Sequence, residues 1–196
     1  MGMLDLRKPG PWLFFASLQV LFFVHIAEFV YPGYSVSQNY ISDLGVGPWP
    51  SWAIFSVTVL IFGLCTLLVA ALLYEQQRSY LWLFMAISGI GAVGVAIFNE
   101  DLGLPHVVSA LLAFGFGNLA AIYAYKVTKA PYSYFCLAMG IIGIVALVLL
   151  GAGVYLGLGV GGMERMIFYP GVFWALSYGA YLMGDPKGAR TVLKTP

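Results

Sequence analysis

Six apolar stretches of about twenty residues, separated by short polar connections, leave this 196-residue chain very few folds. A helix needs about 20 apolar residues to cross a hydrocarbon core of roughly 30 Å. The stretches fall near residues 12–31, 52–74, 80–98, 106–125, 132–155 and 166–183. They predict an all-α protein, a six-transmembrane-helix bundle forming one integral membrane domain over 1–196. Composition agrees: 61% of residues are hydrophobic and only 9% charged, against about a quarter charged in soluble domains.

An even number of spans puts both termini on one side, and basic residues mark the cytoplasmic side. Arg7, Lys8, Arg78, Lys126, Lys129, Lys187, Arg190 and Lys194 then fall together, leaving Arg165 alone outside. The reading is a multi-pass protein of the cell membrane with N- and C-termini cytoplasmic. The segment after Arg7 and Lys8 is too long for a signal peptide and contains Gln19, His25 and Glu28, so it reads as a retained helix. A net charge of +1 without a basic run excludes nucleic acid as a partner. The expected partners are membrane lipids, with a homo-oligomer or membrane-complex partner as a further option.

Local signals refine the helix ends. The run Gly157-Leu158-Gly159-Val160-Gly161-Gly162 predicts that helix five frays into a loop. Pro170 reads as lying near the start of helix six, where a missing N–H is tolerated. Gly153, Gly157 and Gly161 stand four apart, as do Ser88, Ala92 and Ala96, a spacing that allows close helix approach. Tyr31, Tyr34, Tyr40, Trp49 and Trp52 read as an outer aromatic belt. Cys65 and Cys136 lack metal-ligand spacing and read as small core residues.

The polar chemistry gathers on the outer side. Both histidines and five of the eight acidic residues fall there: His25 and His106, with Glu28, Asp43, Glu100, Asp101 and Glu164. His25 and Glu28, three apart, share a helix face, and ionisable groups at that depth are expected to face an interior or an interface. His106 and Ser109 have the spacing of a base and a nucleophile, with Asp43 as an alternative base. His25, Glu28, Asp101 and His106, with Asp43 near them, are the donor types for a divalent metal ion of the Zn or Mn kind, although no diagnostic motif is present. Axial haem ligation by the two histidines is a further option. Arg165 either neutralises neighbouring carboxylates, Glu164 first, or anchors an anionic headgroup.

Three motifs in this region resemble those of the DUF998 family of prokaryotic multi-pass membrane proteins of unknown function. They are Asn39-Tyr40-Ile41-Ser42-Asp43-Leu44-Gly45, Phe98-Asn99-Glu100-Asp101 followed by His106, and Gly162-Met163-Glu164-Arg165-Met166 with Trp174 downstream. Asn99 stands where that family usually has Pro. The resemblance implies a six-helix fold and supplies no reaction.

Two functional readings follow. In the first the outer polar residues form a metal-assisted lipid-headgroup hydrolase or transferase, with His106, Asp43 and Ser109 as catalytic candidates. Asn39, Ser42, Asn99, Glu100, Glu164 and Arg165 would bind the ligand. In the second the chain is a non-catalytic lipid or small-molecule binder or an accessory membrane subunit. Transport would need polar groups at mid-membrane, where Thr66, Ser88 and Asn118 are the few available.

Overall fold

The computed structural model describes residues 5–76 and 79–184. Arg78, Lys187, Arg190 and Lys194 lie outside the described residues. Six helices form: α1 (Pro9–Phe29), α2 (Ser51–Glu75), α3 (Leu81–Ile97), α4 (Leu104–Ala124), α5 (Tyr132–Gly151) and α6 (Gly159–Gly184). Two 3₁₀ turns, Ser42–Gly45 and Glu100–Leu102, sit in the loops after α1 and α3. The described residues contain no strand. Four helices, α1, α2, α4 and α5, are long and apolar enough to cross a membrane, and α3 is apolar over 17 residues. The chain is an integral membrane protein.

Each helix packs on its neighbour in sequence, α6 closes the ring against α1, and α6 also reaches α4. Pro9 and Gly184 therefore lie at one end, called here the terminal end. The loops at 30–50, 98–103 and 152–158 lie at the other, the loop end. Towards the terminal end the core is built on Leu13, Leu73, Leu81 and Trp174. Towards the loop end it is built on Val24, Leu44, Phe55 and Phe168. Outward-facing positions are also apolar: Phe22, Ile61, Ile90 and Val148 are exposed, as lipid-facing side chains should be.

The α5–α6 boundary differs from the expected one. α5 stops at Gly151 instead of 155, because Gly153 at φ +72° closes it: the Val154 N–H bonds the Leu149 carbonyl and the Gly153 N–H bonds that of Leu150. This paired closure is how a left-handed glycine ends a helix. α6 then begins at Gly159, seven residues earlier than expected, and takes in four of the six residues of the glycine run. Glycine is required there by proximity. The Gly161 N–H donates to the Ser37 carbonyl at 3.1 Å, and a Cβ on Gly161 would collide with the Asn39 and Val36 carbonyl oxygens. Gly153, Gly157 and Gly161 thus do not share a helix face.

Pro170 lies inside α6, not near its start. A proline there removes the N–H that would bond the Met166 carbonyl and weakens the turn. Asn118 of α4 helps to hold that turn: its Nδ2 donates to Phe114 O at 2.9 Å and to Ile167 O at 3.4 Å.

Candidate functional site

At the loop end two adjacent residues of α6 part company. Successive helix positions point about 100° apart, so Glu164 and Arg165 cannot share a partner set. Both are only 5% exposed.

Arg165 turns to α1 and the 30–50 loop. Its Nη2 bonds Glu28 Oε1 at 2.5 Å and Tyr34 Oη at 2.8 Å, and its Nη1 donates to the carbonyls of Val36 (2.9 Å), Asn39 (3.3 Å) and Gly161 (2.9 Å). Tyr34 Oη donates in turn to Tyr40 O at 2.8 Å. Burial raises the Tyr34 pKa despite the guanidinium, so this hydroxyl keeps its proton. The guanidinium binds its loop into place and leaves neither Nη free for an anionic headgroup. Glu28, not Glu164, is the carboxylate it bonds. One turn further along the same α1–α6 seam, His25 Nε2 lies 3.1 Å from Tyr169 Oη and its Nδ1 is 2.6 Å from the Leu21 carbonyl. His25 and Glu28 do share a face, but the face looks at α6 rather than into the bundle, and His25 is exposed.

Glu164 turns to the bundle interior. One carboxylate oxygen, Oε2, accepts the Ile41 N–H, and among the described residues no donor bonds Oε1. Above it the Asn39–Asp43 segment is internally knitted. Asp43 Oδ2 accepts Asn39 Nδ2 at 2.8 Å and the Tyr40 N–H at 3.0 Å, and Asn39 Oδ1 accepts the Ser35 N–H at 3.0 Å. That segment presents Ser42 inward, where its hydroxyl and the Asp43 carboxylate meet Glu100 from the second 3₁₀ turn. Burial first, then the Asp43 carboxylate, pushes the Glu100 pKa up to about 7.

His106, 7% exposed, completes this side. Its Nδ1 is 2.8 Å from the Phe98 carbonyl, which can only accept. The neutral ring therefore carries its proton on Nδ1 and a lone pair on Nε2. Nε2 has no hydrogen-bond partner among the described residues. Asn99 leads into the 3₁₀ turn without a side-chain capping bond, and Asp101 is exposed.

Two expected groupings do not form. Ser109 gives its proton to the Pro105 carbonyl at 2.8 Å and packs against Gly94 of α3, so it is not poised on His106. Helical hydroxyls have a carbonyl four residues back within reach, and here that local bond wins. The metal set His25, Glu28, Asp101 and His106 is dispersed: His25 and Glu28 serve the α1–α6 seam, Asp101 faces out and His106 is buried. Among the described residues no three His, Cys, Asp or Glu side chains converge as a metal site. The same separation denies the histidines a common haem slot.

Ser42, His106 and Glu164 line the loop end of an internal cavity of about 90 Å³. Its walls follow helical stripes: Glu164, Ile167, Phe168, Gly171, Val172 and Ala175 on α6, and His106, Ala110, Ala113, Phe114, Gly117 and Asn118 on α4. From Glu164 to Ala175 is roughly 16 Å at the helical rise, so the void is long and narrow. Below its polar rim the lining is apolar apart from Thr66, Ser88 and Asn118. Thr66 and Ser88 donate to the carbonyls of Phe62 and Ala113, each at 2.8 Å. The free polar atoms of Ser88, Thr66, ionised Glu164 and neutral His106 are therefore acceptors. Asn118 Oδ1 is a further acceptor and the Trp174 indole N–H, far from the rim on α6, is a donor, both without a hydrogen-bond partner among the described residues.

Tyr34, Tyr40 and Asn118 carry more of this arrangement than the sequence signalled. The two tyrosines matched the pattern of belt anchors. Asn118 was distinguishable only as a polar residue at mid-helix.

A family model described as a protein of unknown function, DUF998, matches residues 14–181. The match takes in all three loop-end motifs. No curated protein and no solved structure matches.

Proposed function

We propose, from the premise that this chain belongs to the DUF998 family of proteins of unknown function, that it is a binder of a small amphiphile. The polar end of the ligand sits at Ser42, His106 and Glu164, with Glu100 beside Ser42, and an unbranched apolar arm of a few carbons enters the cavity. In this reading the six helices all span the cell membrane, both termini are cytoplasmic and the site opens towards the outer leaflet. The cavity carries the proposal: its rim is polar, its walls are apolar, and its rim offers acceptors in buried surroundings. Ligand pockets combine apolar lining with a few placed polar groups in this way. The small volume decides the size of the arm, since 90 Å³ is about three water volumes. A complete acyl chain would have to part the helices.

The binding reading has more support than metal-assisted hydrolysis or transfer. The proposed metal donors are scattered, Ser109 is engaged elsewhere and Arg165 has both Nη atoms committed.

Calorimetric titration of the detergent-solubilised full chain with 1-hexanol tests the proposal. Saturable binding is expected, and Ala110→Leu, which fills the cavity below His106, should weaken it at least tenfold. Heats that never saturate, or that are the same in the variant, reject it.

A further inference from the structure

We infer that the polar end of the ligand is a primary ammonium group, recognised by Glu164, His106 and the Ser42 hydroxyl; this rests on the amphiphile-binding reading and specifies its headgroup. The rim has a carboxyl group that no basic side chain among the described residues pairs. Glu164 lines the cavity with Glu100 and Asp43 near it, and its neighbour in sequence, Arg165, is bound to Glu28 instead. A buried carboxylate without a countercharge is costly. A ligand cation supplies one.

Hydrogen bonding points to the same chemistry by a separate route. Glu164 and His106 are both more than nine-tenths buried, both line the cavity, and each has an unpartnered acceptor atom, Oε1 and Nε2. The Ser42 hydroxyl stands beside Glu100 and also lines the cavity. An ammonium brings three donors and no acceptor, which suits three acceptor side chains around one rim. A hydroxyl brings a single donor. A phosphate or carboxylate brings acceptors and negative charge, and meets repulsion on both counts.

An inorganic cation fits less well. Among the described residues no three His, Cys, Asp or Glu side chains converge on one point, and hard divalent cations need six or more oxygens at fixed radii. The apolar cavity directly beneath the rim would also have no use. An alkylammonium uses both parts.

The experiment is calorimetric titration of the detergent-solubilised full chain at pH 8 with three ligands sharing one arm: n-hexylammonium, 1-hexanol and hexanoate. Hexylammonium should bind at least tenfold more tightly than hexanol, and hexanoate should not bind. Glu164→Gln keeps an acceptor for the Ile41 N–H, and Ser42→Ala removes the hydroxyl acceptor from the rim. Each should cut the advantage of the amine over hexanol, both measured on the same variant, to threefold or less. Hexanol binding as tightly as the amine, or an advantage that survives both substitutions, overturns the inference and leaves the amphiphile reading standing. Displacement of hexylammonium by millimolar magnesium also overturns it, because the rim would then be an inorganic-cation site. If neither hexanol nor hexylammonium binds, the amphiphile reading itself fails.

Discussion

Glu164 and Arg165 are neighbours in sequence and stand in opposite kinds of surroundings. On the Arg165 side, both Nη atoms of the guanidinium are bonded and only Nε is left without a partner among the described residues. Its carboxylate partner comes from α1, and two loop carbonyls and that of Gly161 close around it. On the Glu164 side, one carboxylate and a histidine face an internal cavity with acceptor atoms left over. A buried polar network with its members paired holds a fold together, whereas one with groups left open is a place to bind something. The contrast separates what assembles the loop end from what it can recognise, a distinction that a list of polar residues does not contain.

The strongest way to break the contrast is to remove the guanidinium. Arg165→Met leaves Glu28 buried without its cation and strips three carbonyls of their donor, which should cost about 3–5 kcal/mol. Thermal unfolding in detergent, followed by circular dichroism, measures it. Glu164→Gln, one residue away, should cost under about 1 kcal/mol, since the Ile41 N–H keeps an acceptor. Equal losses in the two variants would mean that both sides of α6 are structural.

A backbone probe gives the next largest effect. Gly161→Ala drives a methyl group into the Asn39 and Val36 carbonyls, the same loop that Arg165 grips, and should cost about 1–3 kcal/mol. Gly115 is its control: the nearest atom to a Cβ there is Leu147 Cδ2 at 4.0 Å. Gly115→Ala should stabilise by about 0.5–1 kcal/mol, the usual gain from replacing a mid-helix glycine. If the two alanines behave alike in the same melts, the loop does not lean on α6.

The smallest expected effect is on the open side. Glu100 has its pKa raised to about 7 by burial and by Asp43, above the unfolded value of about 4.3. Between those values the folded chain binds more protons than the unfolded chain, so its stability is greatest below about pH 4.3. It falls as pH rises and levels off above about pH 7. Solvent reaches this half-buried group and reduces the effect to about 1 kcal/mol. Melting temperatures of wild type and Glu100→Gln across pH 5 to 8 should show the slope flattening in the variant. An unchanged slope would assign the titration to another group.

Much of the architecture was legible because a membrane imposes few choices. Runs of apolar residues located all six helices, and five were placed to within about four residues at either end. α6 was the exception. Helix propensity argued against Gly159–Gly162 as a helix start, but propensity does not register a loop pressed so close to the backbone that only glycine fits. Pro170 misled in the same way: the penalty for an interior proline is real, and Asn118 on another helix offsets part of it.

Within the candidate site, residue type and position at the loop end of the bundle are readable from the sequence, which is why His106, Ser42, Asp43, Glu100 and Glu164 group together. Their partners are not. Ser109 and His106 had a plausible spacing, yet each found a backbone carbonyl instead, and a spacing cannot say which acceptor is nearer.

What the sequence by itself determined is an all-helical membrane chain with its polar chemistry gathered at one end, since the cost of burying unpaired backbone and charge in lipid leaves no other solution. Which side chains face one another was decided only by the tertiary structure. Helices surrounded by lipid are apolar on every face, so hydrophobic periodicity carries no record of which face turns inward. The rotation of α6 that sends Arg165 to Glu28 and Glu164 to the cavity is set by packing against α1, α4 and the loop over Gly161.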